Sequence, residues 1–358
     1  RRQQHRSPSL TVGETLSAAR KAYRPKPSRL KVEWAAEFVR LRAPMDKPNA
    51  SLETLERRKL MLACLLLRDP RIVLLDEPAS GLTGSEIDEI DLVVIRTTGD
   101  RVQDRALAEI GGKALWTKEL DRALLEGEID LAVHSMKDVE TIRPESIAVA
   151  AMLVREDVRD RLIGADSIDA LPHGARIGTS SPRRAAQMRR IRPDLAIVPL
   201  RGNVDTRLAK VRDGHADATL LAAAGLERLE RPDVGAPIPL DQLLPAPSQG
   251  AVGIEVRADD VTTRMLVSAI GDPVTERCVL AERAMLAALS ADCHSPVAAL
   301  ATIEDGTLRL RAEILTEDGS EHVRLDRSGL EGTAHEAATI AHDLLAAASP
   351  RLRALFGH

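Results

Sequence analysis

Short apolar runs alternate with amphipathic runs of helical length from Asp91 onward, and this alternation restricts the fold more than any other feature of the chain. The pattern is typical of α/β proteins with largely parallel sheets. The predicted strands are DLVVI, DLAVH, IAVAAMLV, ARIGT, LAIVPLR and AVGIEV, and the predicted helices cover residues 115–126, 182–191 and 204–212. We therefore expect an α/β architecture for this part of the chain.

The order of elements changes after Gly271. A long helix is predicted over residues 273–289, and three strand-like runs follow it, VAALATI, LRLRAEIL and HVRLDRSG. An alanine-rich helix is predicted over residues 333–348. Strands grouped between two helices indicate an α+β module with a small three-stranded sheet.

Composition excludes several classes of function. Aromatic residues make up 1% of the chain, so the core is expected to be aliphatic and few side chains remain on which bases could stack. The three cysteines form no CxxC pair, which disfavours both a zinc site and a disulfide framework. The sequence shows no signal peptide and no apolar run of membrane-spanning length. We therefore expect a cytoplasmic protein that binds neither nucleic acid nor a membrane.

Polar loops follow three of the predicted strands. HSMKDVET overlaps the end of DLAVH, TSSPRR follows ARIG, and RGNVDTR follows LAIVPL. Because ligands of open α/β sheets bind beyond the carboxyl ends of the strands, these loops predict the binding site. The whole chain carries a net charge of −4, so an arginine-dense stretch within it indicates a local anion site and not a surface for polyanions.

Two arginines stand at the start of the predicted helix 182–191. The positive end of the helix dipole disfavours cations there unless an anion is also present. The preceding TSS turn can bind such an anion, and arginines can hold carboxylates through paired hydrogen bonds. The residues predicted to do so are Thr179, Ser180, Ser181, Arg183, Arg184, Arg201 and Arg207. A solvated helix face is the alternative interpretation, and it is favoured for Arg189, Arg190 and Arg192.

Two further residues are candidates for chemistry. Asp138 follows Lys137 in the first polar loop, where a carboxylate could stabilise a cation that forms during a reaction. The alternative is a helix cap or an Asx-turn. Cys293 lies in the polar loop SADCHSP, where a thiol near cations can ionise and act as a nucleophile. A buried structural cysteine, the usual alternative, suits Cys64 and Cys278 better.

Six stretches together resemble the hydroxymethylbilane synthase family, also called the porphobilinogen deaminases. They are TTGDRVQDRALAEIGGKALWTKELDRALLEGEIDLAVHSMKDV, IGTSSPRRAAQMRR, LRGNVDTRLAK, AAAGLERL, LPAPSQGAVGIEVR and AERAMLAALSADCHSPVAA. The resemblance implies two lobes similar to periplasmic solute-binding proteins and a third domain that carries the cysteine. It implies residues 91–154 with 250–270, 155–249 and 271–358 as these domains. It also implies an enzyme that joins four porphobilinogen molecules, with release of ammonia, on a covalent dipyrromethane primer.

The resemblance also assigns individual residues. The primer attachment falls on Cys293 and the catalytic aspartate on Asp138. The residues that bind the cofactor and the substrate carboxylates fall on Lys113, Ser135, Lys137, Thr179, Ser180, Ser181, Arg183, Arg184, Arg201, Arg207 and Arg228. The substrate is then porphobilinogen, and a monomer is expected.

Residues 1–90 depart from this family. No Thr-Arg-x-Ser-x-Leu-Ala motif precedes Asp91, so the first strand of the first lobe and one binding arginine are expected to be missing. LTVGETL and ERRKLMLACLLLRDPRIVLLDEPASGL instead resemble a truncated ATPase subunit of a branched-chain amino-acid type ABC transporter, in which Asp76 would hold Mg²⁺ and Glu77 would orient water. No G-x-x-x-x-G-K-[ST] motif is present, which argues against ATP hydrolysis. The alternative to an enzyme is an inactive fusion, or a non-catalytic polycarboxylate-binding protein on the same scaffold.

Overall fold

The computed structural model of the protein describes residues 10–22, 27–52, 56, 59–61, 63–64, 67, 117–292 and 294–357. It separates into two units, residues 1–94 and residues 95–358. The predicted strand DLVVI and the candidates Asp76, Glu77, Lys113 and Cys293 lie outside the described residues.

The unit 1–94 has a small helical core. Its described elements include the helices α1 (Val12–Ala22) and α2 (Arg29–Phe38) and a short 3₁₀ helix over Asn49–Ser51. The hydroxyl of Ser28 caps α2 by accepting a hydrogen bond from the Lys31 N–H group (3.1 Å). Apolar side chains of both helices pack with residues further along the unit, including Leu52 and Leu60.

The unit 95–358 contains eleven strands and eight helices in its described part. The strands are β1 (Leu131–Ser135), β2 (Ile147–Met152), β3 (Asp160–Ile163), β4 (Arg176–Gly178), β5 (Ala196–Val198), β6 (Ala218–Ala222), β7 (Ala236–Pro237), β8 (Val252–Arg257), β9 (Val297–Glu304), β10 (Thr307–Leu315) and β11 (His322–Leu330). The helices are α3 (Lys118–Leu125), α4 (Pro182–Ile191), α5 (Val204–Arg212), α6 (Ala223–Arg228), α7 (Val261–Ser268), α8 (Pro273–Ala288), α9 (Ala334–Ala347) and α10 (Pro350–Ala354).

Two sheets form the α/β part. The first lobe has the strand order β1-β8-β2, and the second lobe has the order β5-β4-β6-β3-β7. Strand β8 enters the first lobe only after the chain has passed through the second, so the chain crosses between the lobes twice. These two lobes confirm the predicted α/β class.

The strand directions differ from the prediction of largely parallel sheets. Strand β4 runs parallel to β5 and β6, but β3 is antiparallel to β6 and β7, and β8 is antiparallel to β1 and β2. The antiparallel strands β3 and β8 each follow a crossing between lobes and enter their sheet from the opposite end. Apolar runs look alike in both directions, which is why the sequence pattern does not reveal this difference.

The C-terminal domain confirms the predicted α+β module. Its sheet has the order β11-β10-β9, with antiparallel neighbours, and α8 and α9 pack on it. Both helices begin at side-chain caps. Asp272 accepts a hydrogen bond from the Thr275 N–H group (2.8 Å), and Thr333 forms a capping box with Glu336. None of the helices in the described part of the chain combines the length and the hydropathy that a membrane span requires.

A buried carboxylate fastens the crossing segments to the C-terminal domain. Glu282 of α8 is fully buried and accepts two hydrogen bonds from Arg155, at 2.7 and 3.0 Å. It also accepts hydrogen bonds from the backbone N–H groups of Ser248 (2.5 Å) and Ala301 (2.7 Å). Since Arg155 and Ser248 belong to the two crossings, one side chain joins both of them to the third domain.

Candidate active site

A cavity of about 570 Å³ opens where the strand-end loops of both lobes meet the C-terminal domain. The first lobe contributes the loop after β1, and the second lobe contributes the turn before α4 and the loop before α5. The C-terminal domain contributes part of α8 and the segment that follows it. Eight residues predicted from the sequence line this cavity: Lys137, Asp138, Ser180, Ser181, Arg183, Arg184, Arg201 and Arg207. The strand-end loops therefore meet as the α/β rule predicts.

Three predicted residues lie elsewhere. Ser135 is the half-buried last residue of β1 and does not line the cavity. Thr179 is buried behind the turn, and Arg228 is exposed at the end of α6. The structure therefore does not bring Arg228 together with the other basic residues. Lys113 and Cys293 are outside the described residues, although the neighbours of Cys293 on both sides line the cavity.

Asp138 is presented by a single 3₁₀ turn, Met136–Asp138, directly after β1. The Met136 N–H group donates to the Ala251 carbonyl (3.0 Å), and the Met136 side chain is fully buried against Gly253 of β8. Asp138 itself is exposed to the cavity. Burial lowers the pKa of the neighbouring Lys137, and the charges of Arg184 and Arg183 lower it further, while Asp138 and Asp160 act in the opposite direction.

The two arginines at the start of α4 share a buried carboxylate. Arg183 Nη1 lies 2.7 Å from Asp160 Oδ2, and Arg184 Nη2 lies 2.6 Å from Asp160 Oδ1. Burial acts to raise the pKa of Asp160, but the two guanidinium groups outweigh it and hold that pKa well below its usual range. The anion that the sequence predicts at this helix start is thus supplied, in part, by the protein.

The TSS turn is also committed to internal hydrogen bonds. The Ser181 hydroxyl caps α4 by accepting from the Arg184 N–H group (3.4 Å), and the Ser181 N–H group donates to Thr179 Oγ1 (3.1 Å). The Ser180 hydroxyl donates to the Leu200 carbonyl (3.3 Å). The predicted anion cradle is therefore mainly a helix cap, with Ser180 and Ser181 still facing the cavity.

The neighbouring loop of the second lobe, before α5, is basic as well. Arg207 Nε donates to the Gly202 carbonyl (2.8 Å), which holds the side chain beside Arg201. Burial lowers the pKa of Arg207 to about 10, with a further contribution from the charge of Arg184, while Asp138 acts in the opposite direction. Cations that crowd one another in this way favour the binding of an anionic ligand between them.

Two functional contributors were missed by sequence reasoning. Asp160 looks like an ordinary strand residue, and its partners lie more than twenty positions away. Arg283 of α8 lines the cavity and donates to backbone carbonyls of the loop that carries Asp138. The sequence shows only that Arg283 is a charged residue at a buried position of the predicted helix, and this does not indicate which groups it binds.

One cluster outside the cavity has metal-ligand types. Single ligand atoms of Asp121, His134 and Glu255 lie within 4.8 Å of one another. Arg143, however, donates to Asp121 (2.6 Å) and to Glu255 (2.7 Å), so both carboxylates already pair with a guanidinium. The cluster is an ion-pair network that joins β1 and β8 to α3 through Arg143.

Comparisons with known proteins agree with the geometry. The family model "porphobilinogen deaminase, dipyromethane cofactor binding domain" matches residues 75–265, and the C-terminal domain model of the same family matches residues 276–347. The chain is similar to the porphobilinogen deaminase of Sphingopyxis alaskensis, with 58% identity over 279 residues, which covers 76% of this chain and 88% of that one. It is 52% identical over 250 residues to that of Paracoccus denitrificans, covering 69% and 80% of the two chains.

Among solved structures, the chain is similar to a periplasmic sulfonate-binding protein from Methylobacillus flagellatus, with a TM-score of 0.26 and 17% identity over 46% of this chain and 50% of that one. The first family model begins at residue 75, within the stretch that resembles a transporter ATPase. These matches lend no support to that second resemblance, which stays a prediction.

Proposed function

The chain belongs to the porphobilinogen deaminase family, and we propose that Asp138 is its catalytic carboxylate. The enzyme is a transferase of tetrapyrrole biosynthesis that joins four porphobilinogen molecules head to tail into hydroxymethylbilane and releases ammonia at each step. One observation carries the assignment of Asp138. It is a carboxylate exposed to a cavity whose other charged walls are mostly cationic.

The proposed role of Asp138 follows from the charge that the reaction creates. When the C–N bond of porphobilinogen breaks and ammonia leaves, positive charge develops on the pyrrole. A carboxylate held in place beside that charge stabilises the transition state without having to reorganise. Asp292, the other acid in the lining, accepts a hydrogen bond from the His294 N–H group (2.9 Å), which shapes its own turn.

The basic walls are proposed to orient the substrate. Each porphobilinogen carries an acetate and a propionate, and the growing product is a polycarboxylate. Lys137, Arg201 and Arg207 can pair with these groups, which fixes the ring relative to Asp138. The cavity volume of about 570 Å³ lies within the range of small-molecule sites, about 300–1,000 Å³.

The same walls fit a dipyrromethane cofactor, which brings four carboxylates. Among the described residues, Arg183 Nε, Arg184 Nε and Ser248 Oγ are buried donors without a hydrogen-bond partner, and all three residues line the cavity. Such donors suit an anionic occupant. When bound, the cofactor supplies a primer with a free α-carbon for the new carbon–carbon bond. We propose Cys293 as its attachment point, because Asp292 and His294 both line the cavity.

The remaining proposals concern the domain bounds, the oligomeric state and the location of the protein. The sheets place β1, β2 and β8 in one lobe and β3 to β7 in the other, which supports domains at 91–154 with 250–270, 155–249 and 271–358. We also propose a monomer that acts in the cytoplasm without a nucleic-acid or membrane partner. The 1% aromatic content supports the absence of base stacking.

The test separates chemistry from cofactor binding. Asp138→Asn is expected to lower kcat by about 10²–10³-fold, while the intact mass still shows a dipyrromethane adduct. Glu145→Gln, which removes an exposed carboxylate from the same lobe, is expected to change neither. Cys293→Ser is expected to lose the adduct. Near-normal turnover by Asp138→Asn would disprove its role. An unmodified wild-type mass with no turnover would favour the inactive or non-catalytic alternative.

A further inference from the structure

We infer that Arg283 is a positioning residue, which holds the loop of Asp138 in register with the cysteine-bearing segment of the C-terminal domain. The inference rests on the proposed role of Asp138. Arg283 belongs to α8, whereas Asp138 belongs to the first lobe, so the contact crosses a domain boundary.

The guanidinium of Arg283 binds several backbone carbonyls of one short loop. Nη1 donates to the carbonyls of Met136 (3.4 Å) and Val139 (3.3 Å). Nη2 donates to the carbonyls of Thr141 (3.2 Å) and Glu140. The planar fork of an arginine can serve several acceptors at once, which a lysine cannot do in the same geometry. The acceptors lie on both sides of Asp138, so the loop is held before and after the carboxylate.

The electrostatics also favour a role at this loop. Arg283 is 9% exposed, and within the described part of the chain the four hydrogen bonds of its guanidinium go to neutral carbonyls. Burying a cation that is hydrogen-bonded only to neutral groups costs free energy, so packing alone does not explain an arginine at this position.

A second contact joins the same two segments. The Thr141 hydroxyl donates to the Ala291 carbonyl (3.0 Å), two positions before Cys293. The loop of Asp138 is therefore attached to the C-terminal domain at α8 and again beside the proposed attachment point. Both contacts fix the position of the Asp138 carboxylate relative to the segment that would carry the growing chain.

Helix α8 also provides a matched control. Arg277 donates to three backbone carbonyls, those of Glu331 (3.0 Å), Gly306 (3.2 Å) and Leu330 (3.4 Å), but these carbonyls belong to the C-terminal domain itself. Arg277 does not line the cavity. The substitutions Arg283→Lys and Arg277→Lys therefore make the same chemical change on the same helix, one facing the Asp138 loop and one away from it.

The experiment compares steady-state kinetics, intact mass and Tm of the full-length cofactor-loaded enzyme. Displacing reacting groups by about 1 Å can cost 100-fold in rate, so Arg283→Lys is expected to lower kcat by about 10- to 100-fold. The KM for porphobilinogen is expected to stay within about twofold, with the adduct mass and Tm retained. Arg277→Lys is expected to keep wild-type kcat. Equal kcat losses in both variants would refute the inference. A kcat loss in Arg283→Lys that is proportional to the loss of protein carrying the dipyrromethane adduct would refute it as well.

A double-mutant cycle tests whether Arg283 acts through Asp138. In the Asp138→Glu background, the loss caused by Arg283→Lys is expected to shrink, because the carboxylate is already misplaced. Losses that simply multiply would mean that the two residues act independently. If Arg283→Lys does not fold, Arg283→Gln is assayed instead, and wild-type kcat in that variant would overturn the inference. Asp138→Asn with normal turnover would instead refute the proposed function itself.

Discussion

The shared carboxylate of Asp160 makes a sharp prediction about stability. The substitution Asp160→Asn keeps the shape of the side chain and removes its charge. The side chain is fully buried and accepts hydrogen bonds from Arg183 (2.7 Å), Arg184 (2.6 Å) and Gln249 (3.0 Å). After the substitution, two guanidinium groups that are both at least nine-tenths buried face a neutral amide, and the NH₂ of that amide is itself a donor.

The expected loss in the free energy of unfolding is large, because the substitution removes the charge of one partner in a buried ion pair and leaves the other partners charged. Removing one partner of such a pair typically costs about 3–5 kcal/mol, since the remaining charge is left uncompensated. Asp157→Asn is the matched control on the same crossing segment. Its ion pair with Arg159 has side chains that are 21% and 42% exposed, so about 0–1 kcal/mol is expected there. The two variants should therefore differ by at least about 2 kcal/mol.

The assay is urea unfolding of the cofactor-loaded protein at pH 7, followed by circular dichroism, with Tm as a second readout. For the expected loss, Tm should fall by roughly 6–20 °C in Asp160→Asn. The pH dependence supplies a further check. Because the folded-state pKa of Asp160 is lowered from its unfolded value of about 3.9, its contribution is fully present above about pH 4 and is lost as the pH falls through the folded pKa. Equal stabilities of Asp160→Asn and Asp157→Asn at pH 7 would refute the argument.

Two further predictions concern packing and thiol reactivity. Gly253→Ala would place a methyl group against Met136, overlapping its Sδ and lying 2.9 Å from its Cγ, so we expect a loss of about 1–3 kcal/mol in urea unfolding and a lower kcat. Unchanged values of both would show that the Met136 turn adapts freely. Burial, with a smaller contribution from Glu282, raises the pKa of the Cys278 thiol to about 11, so iodoacetamide should label it at pH 8 only after unfolding. Rapid labelling of the native Cys293→Ser variant at Cys278 in a peptide map would contradict this.

Much of the local structure could be predicted from the sequence. Helix 182–191 was predicted at its observed bounds, and helix 273–289 ends within one residue of α8. Caps, prolines at helix starts and apolar periodicity act between residues that are close in the chain, so they can be read from it. That Arg183 and Arg201 line one cavity was also predictable, because they follow β4 and β5, and the carboxyl ends of parallel strands in one sheet lie on the same edge.

The sequence by itself determined the family, the order of elements and most of the charged residues that line the cavity. Only the tertiary structure decided the partners of the charged groups. It showed that Asp160 pairs with both Arg183 and Arg184, that β3 and β8 run antiparallel to neighbouring strands, and that Arg283 reaches the Asp138 loop across a domain boundary. The physical reason is range. Helix caps and periodicity depend on neighbours within a few positions, whereas ion pairs and strand directions depend on segments that meet only when the chain has folded.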